Sequence, residues 1–312
     1  MSFDLNILAH GTSKVIQLMD QVNGTMVEIH CRGGLMNRWT VQNEGQGLEL
    51  ILGNEGEADF EKNGFRSGKM SPFSCRIDGG KYQIDHQTYK FKKFYLGEHA
   101  LHGIMYDAEF SILSTQLQND YAQVILTSSY EATDPGYPFP YEIQIQWTLY
   151  SDNLIEIKTT IVNRSNVVIP MMDGWHPYFT LGIDVDQCQL EFQSNATLLM
   201  RDDLIPSGAV LHENRFQDGL QIGKLHLDDC FLLDPIRNKI KLSYAGKSIT
   251  VTPTHNYPYL QLYTPDDRKS IAIENLSGAP DCFNNKMGLQ QLEPQGQIYF
   301  ETSYQFNTIS QL

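Results

Sequence analysis

Five short stretches of the chain set a titratable residue beside glycine, proline or an aromatic ring, where proton transfer or tight hydrogen bonding could be done. SPFSCRIDGG (71–80) carries Arg76, whose planar fork of N–H donors suits sugar or carboxylate oxygens, and which reads equally as a surface charge on a strand. GEHALHGIM (97–105) carries His99 and His102, three residues apart as two metal ligands on a helix can be. No other His or Cys cluster completes such a set, so no metal is expected, and either ring reads also as a half-buried, hydrogen-bonded imidazole. DGWHPYFTLG (173–182) places His176 before Pro177, which biases it towards extended backbone. A histidine framed by Trp175, Tyr178 and Phe179 is either core or a proton donor in a pocket. LHLDDCFLLD (225–234) sets Asp228 and Asp229 ahead of an apolar run, as turn residues would stand. SIAIENLSGAPDCFNN (270–285) delivers Glu274 at the end of an apolar strand, where a lone glutamate is ordinarily solvated. A carboxylate and an imidazole together make an acid–base pair that burial can tune towards neutral pH.

The elements that would position these groups are strands. In YEIQIQWTLY (141–150), Tyr141, Ile143, Ile145, Trp147 and Leu149 share one face and polar residues the other. NLIEIKTTIVN (153–163) repeats the pattern, and Ser151-Asp152-Asn153 joins the two as a hairpin turn. KIKLSYAGKSITVTP (239–253) predicts a hairpin turning at Ala245-Gly246, and RIDGGKYQID (76–85) one turning at Gly79-Gly80. QIYFETSYQF (297–306) adds a closing strand. DPGYPFPYE (134–142) is too rich in proline for a sheet interior. The one weak helical candidate is residues 55–63, short and polar. No linker-like shift divides the chain, so the pattern predicts an all-β fold, one large antiparallel β-sandwich domain over residues 1–312.

Composition narrows the function. With 41% hydrophobic and 19% charged residues over 312 positions, the chain can bury a sizeable core and is not a disordered tail. A formal charge of −14 opposes nucleic-acid or polyphosphate binding but not a small neutral ligand. The five cysteines, Cys31, Cys75, Cys188, Cys230 and Cys282, form no CxxC pair and read as reduced, structural thiols. The N-terminal residues have no leader pattern and no stretch approaches a membrane span, so a cytoplasmic protein without membrane partner is expected, as monomer or homodimer.

Taken in order, the five clusters resemble the aldose 1-epimerase (galactose mutarotase) family over roughly residues 20–306. SPFSCRIDG resembles its arginine-bearing segment, ALHG its Leu-His-Gly segment, GWHPYF its His-Pro-Tyr-Phe motif, LDDCFLL its aspartate segment and AIENLSGAPDCFNN the segment of the general base. GYPFPYEIQIQWTLYSDNLIEIKTTIVNRS and YLQLYTP resemble neighbouring strands of the family. The resemblance implies a β-supersandwich with a sugar cleft on one face and no cofactor. It implies Glu274 as general base, His176 as general acid, His102 and Arg76 as groups that bind and polarise sugar oxygens, and Asp228 as holder of a ring hydroxyl. His99 stands where the family usually has a substrate-facing asparagine, Gly103-Ile104 where two glycines are frequent, and Asn275 where a proline is common. The implied reaction is mutarotation of a neutral hexose. A hexose-phosphate mutarotase and a non-catalytic carbohydrate-binding module are the alternatives. Trp175, Tyr178 and Phe283 are the expected walls around Glu274, with acid and base facing each other across one pyranose.

Overall fold

Alternating and wholly apolar runs dominate the chain, and the computed structural model, which describes residues 2–55 and 60–308, resolves them into antiparallel sheets. The largest, nine-stranded, runs Ser111–Leu117, Tyr121–Tyr130, Tyr141–Tyr150, Leu154–Asn163, Gln297–Thr308, Lys247–His255, Ile240–Tyr244, Gln189–Phe192 and Leu220–Gln221. Facing it is a second sheet in the order Pro206–His212, Ser194–Met200, Asp228–Leu233, Tyr259–Tyr263, Ile271–Leu276, Gly174–Trp175 and Lys69–Met70, with Tyr178–Phe179 also on Ile271–Leu276. A five-stranded meander, Phe3–His10 through Gln46–Glu49, packs over one end. This is the large antiparallel β-sandwich that the alternation predicts.

Facing aromatic residues seal the layers. Trp147 of the first sheet meets Trp175 of the second at 5.2 Å between ring centroids, and Phe179 meets Tyr304 at 5.1 Å. The Trp147 indole N–H donates to the Gly34 carbonyl at 3.1 Å, which pins the meander to the same core.

Strands 141–150 and 154–163 pair in the register their alternation requires, Trp147 opposite Ile157, joined through Asp152 and Asn153 with φ +61° and +56°. The hairpin at Ala245-Gly246 forms likewise. The hairpin expected at Gly79-Gly80 does not. Arg76–Ile77 pairs with His99–Leu101 instead, and the real hairpin joins Lys81–Ile84 to Gln87–Lys90 through Asp85 and His86, at φ +49° and +66°. Both glycines do take positive φ, but they swing the chain away from Arg76 rather than back onto it. Of the helical candidate 55–63, residues 56–59 lie outside the described residues, and Phe60–Ser67 is a series of turns. The one α-helix among the described residues is the single turn Cys282–Asn285, beside the short 3-10 turns Asp78–Gly80 and Val185–Gln187.

One buried polar network ties the second sheet together. Lys69 and Asp173 are both 0% exposed, with Nζ 2.5 Å from Oδ2, and the Tyr257 hydroxyl donates to the same oxygen at 2.6 Å. The Lys69 ammonium also lies 4.2 Å from the Trp175 ring centroid. Burial pulls the Lys69 amine down to about 8 and pushes the Asp173 carboxyl up, against their mutual attraction. Removing one partner strands a charge, so Lys69→Met is expected to cost about 3–5 kcal/mol. Lys69→Met with Asp173→Leu should recover most of that loss, as urea unfolding at neutral pH will show.

Candidate active site

The strand Ile271–Leu276 is buried at all six positions, including its glutamate. Alternation sends Asn275 towards the nine-stranded sheet, where its Oδ1 accepts from the Thr302 hydroxyl at 2.6 Å. Glu274 therefore faces the other way, into a cavity of about 320 Å³. Rather than the solvated strand-end glutamate that local sequence suggests, it is 1% exposed, and its Oε2 is buried with no hydrogen-bond partner among the described residues.

Beside it stands His176. The bend between Gly174–Trp175 and Tyr178–Phe179 carries this residue across the same strand. Its backbone is clasped on both sides: its N–H donates to the Gly68 carbonyl at 3.1 Å, and its carbonyl accepts from Ser67 N–H at 2.9 Å. The ring stacks on Tyr178, centroids 4.8 Å apart and planes 7° from parallel. Nε2 lies 3.5 Å from Glu274 Oε1. That gap is too short for a pyranose, so acid and base do not face each other across a sugar. They sit side by side on one wall.

His102 completes the inner cluster, its ring centroid 5.0 Å from that of His176 and 4.8 Å from Phe65. It holds φ +57°, an unfavourable backbone for a bulky residue, and Gly103 follows at φ +77°. A Cβ on Gly103 would come within 2.3 Å of the Ser71 carbonyl oxygen, so glycine is obligatory behind the histidine. Arg76 and Asp228 also line the cavity. Asp228 Oδ1 accepts from Gln261 Nε2 at 2.7 Å, while the Arg76 guanidinium makes no ion pair or hydrogen bond among the described residues and is free for a ligand.

Five of the six residues singled out in the sequence thus converge. The sixth, His99, does not reach the cavity. Its ring is buried at the rim, with Nδ1 accepting from Gly79 N–H at 3.1 Å and lying 3.4 Å from Asp78, and Nε2 lying 3.4 Å from Asp203. Alternation alone would put His99 on the side of the wall-lining Leu101, two residues on, but its contacts with Gly79, Asp78 and Asp203 hold the ring at the rim. Of the expected walls only Tyr178 lines the cavity. Trp175 turns back to Lys69 and Trp147, and Phe283 packs on Phe73, Tyr82 and Phe91. Unforeseen in the sequence is Gln261, buried directly opposite Glu274 in register, with its Oε1 unpartnered. A lone polar residue inside YLQLY was the signal for it.

Electrostatics follow from burial. Loss of water pushes the Glu274 carboxyl well above its ordinary value; Asp228 adds to this and Arg76 opposes it. The same loss pulls the His176 imidazole down to about 3, and His102 well below its ordinary value with help from the His176 and Arg76 charges. Asp228 is raised by desolvation against Arg76. Burial thus favours the protonated, neutral form of the Glu274 carboxyl and the neutral form of the His176 imidazole.

The site and the sheets now meet the known proteins. The chain belongs to the aldose 1-epimerase family, which it matches over residues 14–305. Among curated relatives, it is 23% identical over 261 residues to the uncharacterised protein YihR of Escherichia coli K12, covering 80% of each chain. It is also 23% identical over 239 residues to a maltose epimerase of Levilactobacillus brevis, covering 69% of this chain and 68% of that one. Among solved structures, a galactose mutarotase-like protein from Clostridium acetobutylicum superposes with TM-score 0.87 at 17% identity over 99% of both chains. The galactose 1-epimerase of Lactobacillus acidophilus superposes with TM-score 0.84 at 17% identity, over 98% of this chain and 99% of that one.

A buried carboxyl costs stability. Its folded pKa lies above the unfolded value, so the penalty is absent below about pH 4.5 and grows until the folded group ionises. Glu274→Gln, which buries no charge, is expected to be more stable than the wild type by a margin that widens from pH 5 to pH 8. Urea unfolding at those two pH values measures it.

Proposed function

We propose that the chain is a mutarotase acting on an uncharged sugar with a free anomeric hydroxyl, and that Glu274 and His176 are its proton-transfer pair. The observation that carries this reading is their side-by-side placement, 3.5 Å apart, at the base of a cavity. Mutarotation moves two protons on neighbouring oxygens: the anomeric hydroxyl and the ring oxygen are both bonded to C1. Two adjacent groups on one wall can reach both at once.

In the opening step the Glu274 carboxylate takes the proton from the C1 hydroxyl, and the C1–O bond becomes a carbonyl. The bond from C1 to the ring oxygen breaks, its electrons stay on that oxygen, and His176 delivers a proton to it. Rotation about C1–C2 presents the other carbonyl face. Closure runs the same steps backwards with the roles exchanged, so nothing is consumed. The pair starts with one transferable proton, whichever residue holds it. Arg76 and His102 stabilise charge on the reacting oxygens, while Asp228 and the free Gln261 oxygen accept from ring hydroxyls.

Charge supports an uncharged substrate. Among the described residues, Arg76 is the one Lys or Arg lining the cavity, against the carboxyl groups of Glu61, Asp228 and Glu274, so a phosphate dianion is opposed. The Levilactobacillus relative is named for maltose, which keeps a sugar of two rings within the reading.

Polarimetry of freshly dissolved α-glucose, α-galactose and glucose 6-phosphate tests it. The wild type should speed the approach to equilibrium for a neutral sugar and act at least roughly tenfold less well on the phosphate, one pKa-unit-sized electrostatic penalty. Glu274→Gln should still bind sugar while losing about 10²–10⁴ in rate. A wild type that binds sugar without accelerating its equilibration would instead indicate a non-catalytic sugar-binding protein. The rate should also fall on both sides of a pH window: below it when His176 takes a second proton, above it when the pair gives up its last, through an apparent pKa well above that of an ordinary glutamate.

A further inference from the structure

A second hollow shares no lining with the first. It is a cleft of about 750 Å³ between the hairpin Lys81–Ile84 and Gln87–Lys90 and the strand pair Ile169–Met171 and Gln290–Leu292. Among the described residues, none lines both this cleft and the cavity at Glu274. One stretch of chain serves both: Glu274 and Pro280 line the first, and Phe283 and Lys286 line the second. The size of the cleft falls within the roughly 300–1,000 Å³ usual for small-ligand sites.

Its floor is a bed of rings. Phe283 meets Tyr82 at 4.9 Å between centroids, Tyr89 lies on Tyr82 at 5.3 Å with planes 21° apart, and Phe139 flanks Tyr89 at 5.4 Å. Tyr89 is only half-buried, so the rings beneath fix the orientation of an aromatic side chain that still meets the cleft. Tyr82 is 1% exposed, and its hydroxyl is buried with no hydrogen-bond partner among the described residues. A buried hydroxyl left unpaired costs free energy that a polar atom of a ligand can recover. One wall is held in shape by polar contacts: Asn163 Nδ2 and the Ser165 hydroxyl both donate to the Val167 carbonyl at 2.8 Å. The Val167 and Val168 side chains nevertheless stay exposed beside the rings, as apolar groups at a binding surface do.

The polar lining says what kind of ligand fits. Gln83, Gln87, Asn166 and Gln291 bring four exposed amides to the cleft, and the side chains of the last three make no hydrogen bond to the described residues. An amide both donates and accepts, as a hydroxyl group does. The charged residues of the lining are Asp85, Glu293 and Lys286, and the Lys286 ammonium is engaged with the Phe283 carbonyl at 2.6 Å. An anion therefore meets two carboxylates and no free cation among the described residues. A purely apolar ligand would leave the amides and the Tyr82 hydroxyl without partners. A molecule with hydroxyl groups around a face of C–H groups suits both the rings and the amides. We propose that this cleft is a second, non-catalytic site for an uncharged saccharide, with the C–H face of a pyranose on Tyr89 and its hydroxyl groups on the amides. The site does not depend on the reaction at Glu274.

The side-chain amide signals in ¹H–¹⁵N NMR spectra of the full chain report on this cleft directly. Maltopentaose, cellopentaose and laminaripentaose are titrated to about 10 mM, well above a Kd of about 1 mM. At least one of them should shift the signals of Gln87, Asn166 and Gln291. Arg76→Ala, which removes a proposed sugar contact from the cavity at Glu274, should leave those shifts in place. Two further variants address the cleft itself. Tyr89→Leu keeps the ring bed covered but removes the flat ring, and the double variant Gln87→Ala, Asn166→Ala changes exposed positions that do not hold the fold. Each should weaken the binding, followed through Gln291, about tenfold, the scale of two lost hydrogen bonds. No shift with any of the three saccharides overturns the site, as do shifts that vanish in Arg76→Ala or binding that either cleft variant leaves unchanged.

Discussion

A carboxyl group without water is the constraint around which this molecule is arranged. Glu274 is locked into a six-residue strand with no exposed position, between two neighbours in the same sheet and under a second sheet. Such a group is tolerated in a fold by keeping its proton, because the neutral form avoids the cost of a buried charge. The adjacent His176 ring is buried with it, and burial acts on the two in opposite directions, raising the carboxyl and lowering the imidazole. On the proposed function, the contacts of a bound sugar move the proton between them, which is the property that acid–base chemistry on adjacent oxygens needs.

Holding that arrangement takes structure that is itself costly. The buried Lys69–Asp173 pair lies on the strands flanking His176, and Gly68 and Ser67, next to Lys69, clasp the histidine backbone. Asn275, next to the catalytic candidate, fastens the strand to the other sheet through Thr302, where a proline could not extend the ladder on both sides. His102 and Gly103 both take left-handed backbone so that an imidazole can lean over the cavity. Buried titratable side chains gather around one hollow, while the aromatic seams at Trp147–Trp175 and Phe179–Tyr304 are ordinary packing.

What could be read from the residues follows from what they touch locally. The strand pair 141–163 was legible because period two and a polar turn settle both face and register. Family-like motifs brought Arg76, His102, His176, Asp228 and Glu274 to one cavity, although each alone was ambiguous. The misreadings were tertiary. Gly79-Gly80 has hairpin chemistry, yet Arg76–Ile77 finds a better partner in His99–Leu101, and that pairing in turn points His99 at the rim carboxylates. Trp175 and Phe283 neighbour the motifs in sequence but face away from Glu274, because sidedness along a short, bent strand depends on pairings made far off in the chain. The side-by-side placement of acid and base, and the unpartnered Gln261, exist only once distant strands align.

The most direct test is an NMR titration that follows the Glu274 side-chain carboxyl by ¹³C and the His176 ring by ¹⁵N in the sugar-free protein. The account predicts a carboxyl that keeps its proton well above pH 4.5 while the imidazole stays neutral down to at least pH 5. A carboxyl titrating at or below 4.5 beside an imidazole titrating near 6.5 would mean that both groups are solvated and independent, and would contradict it.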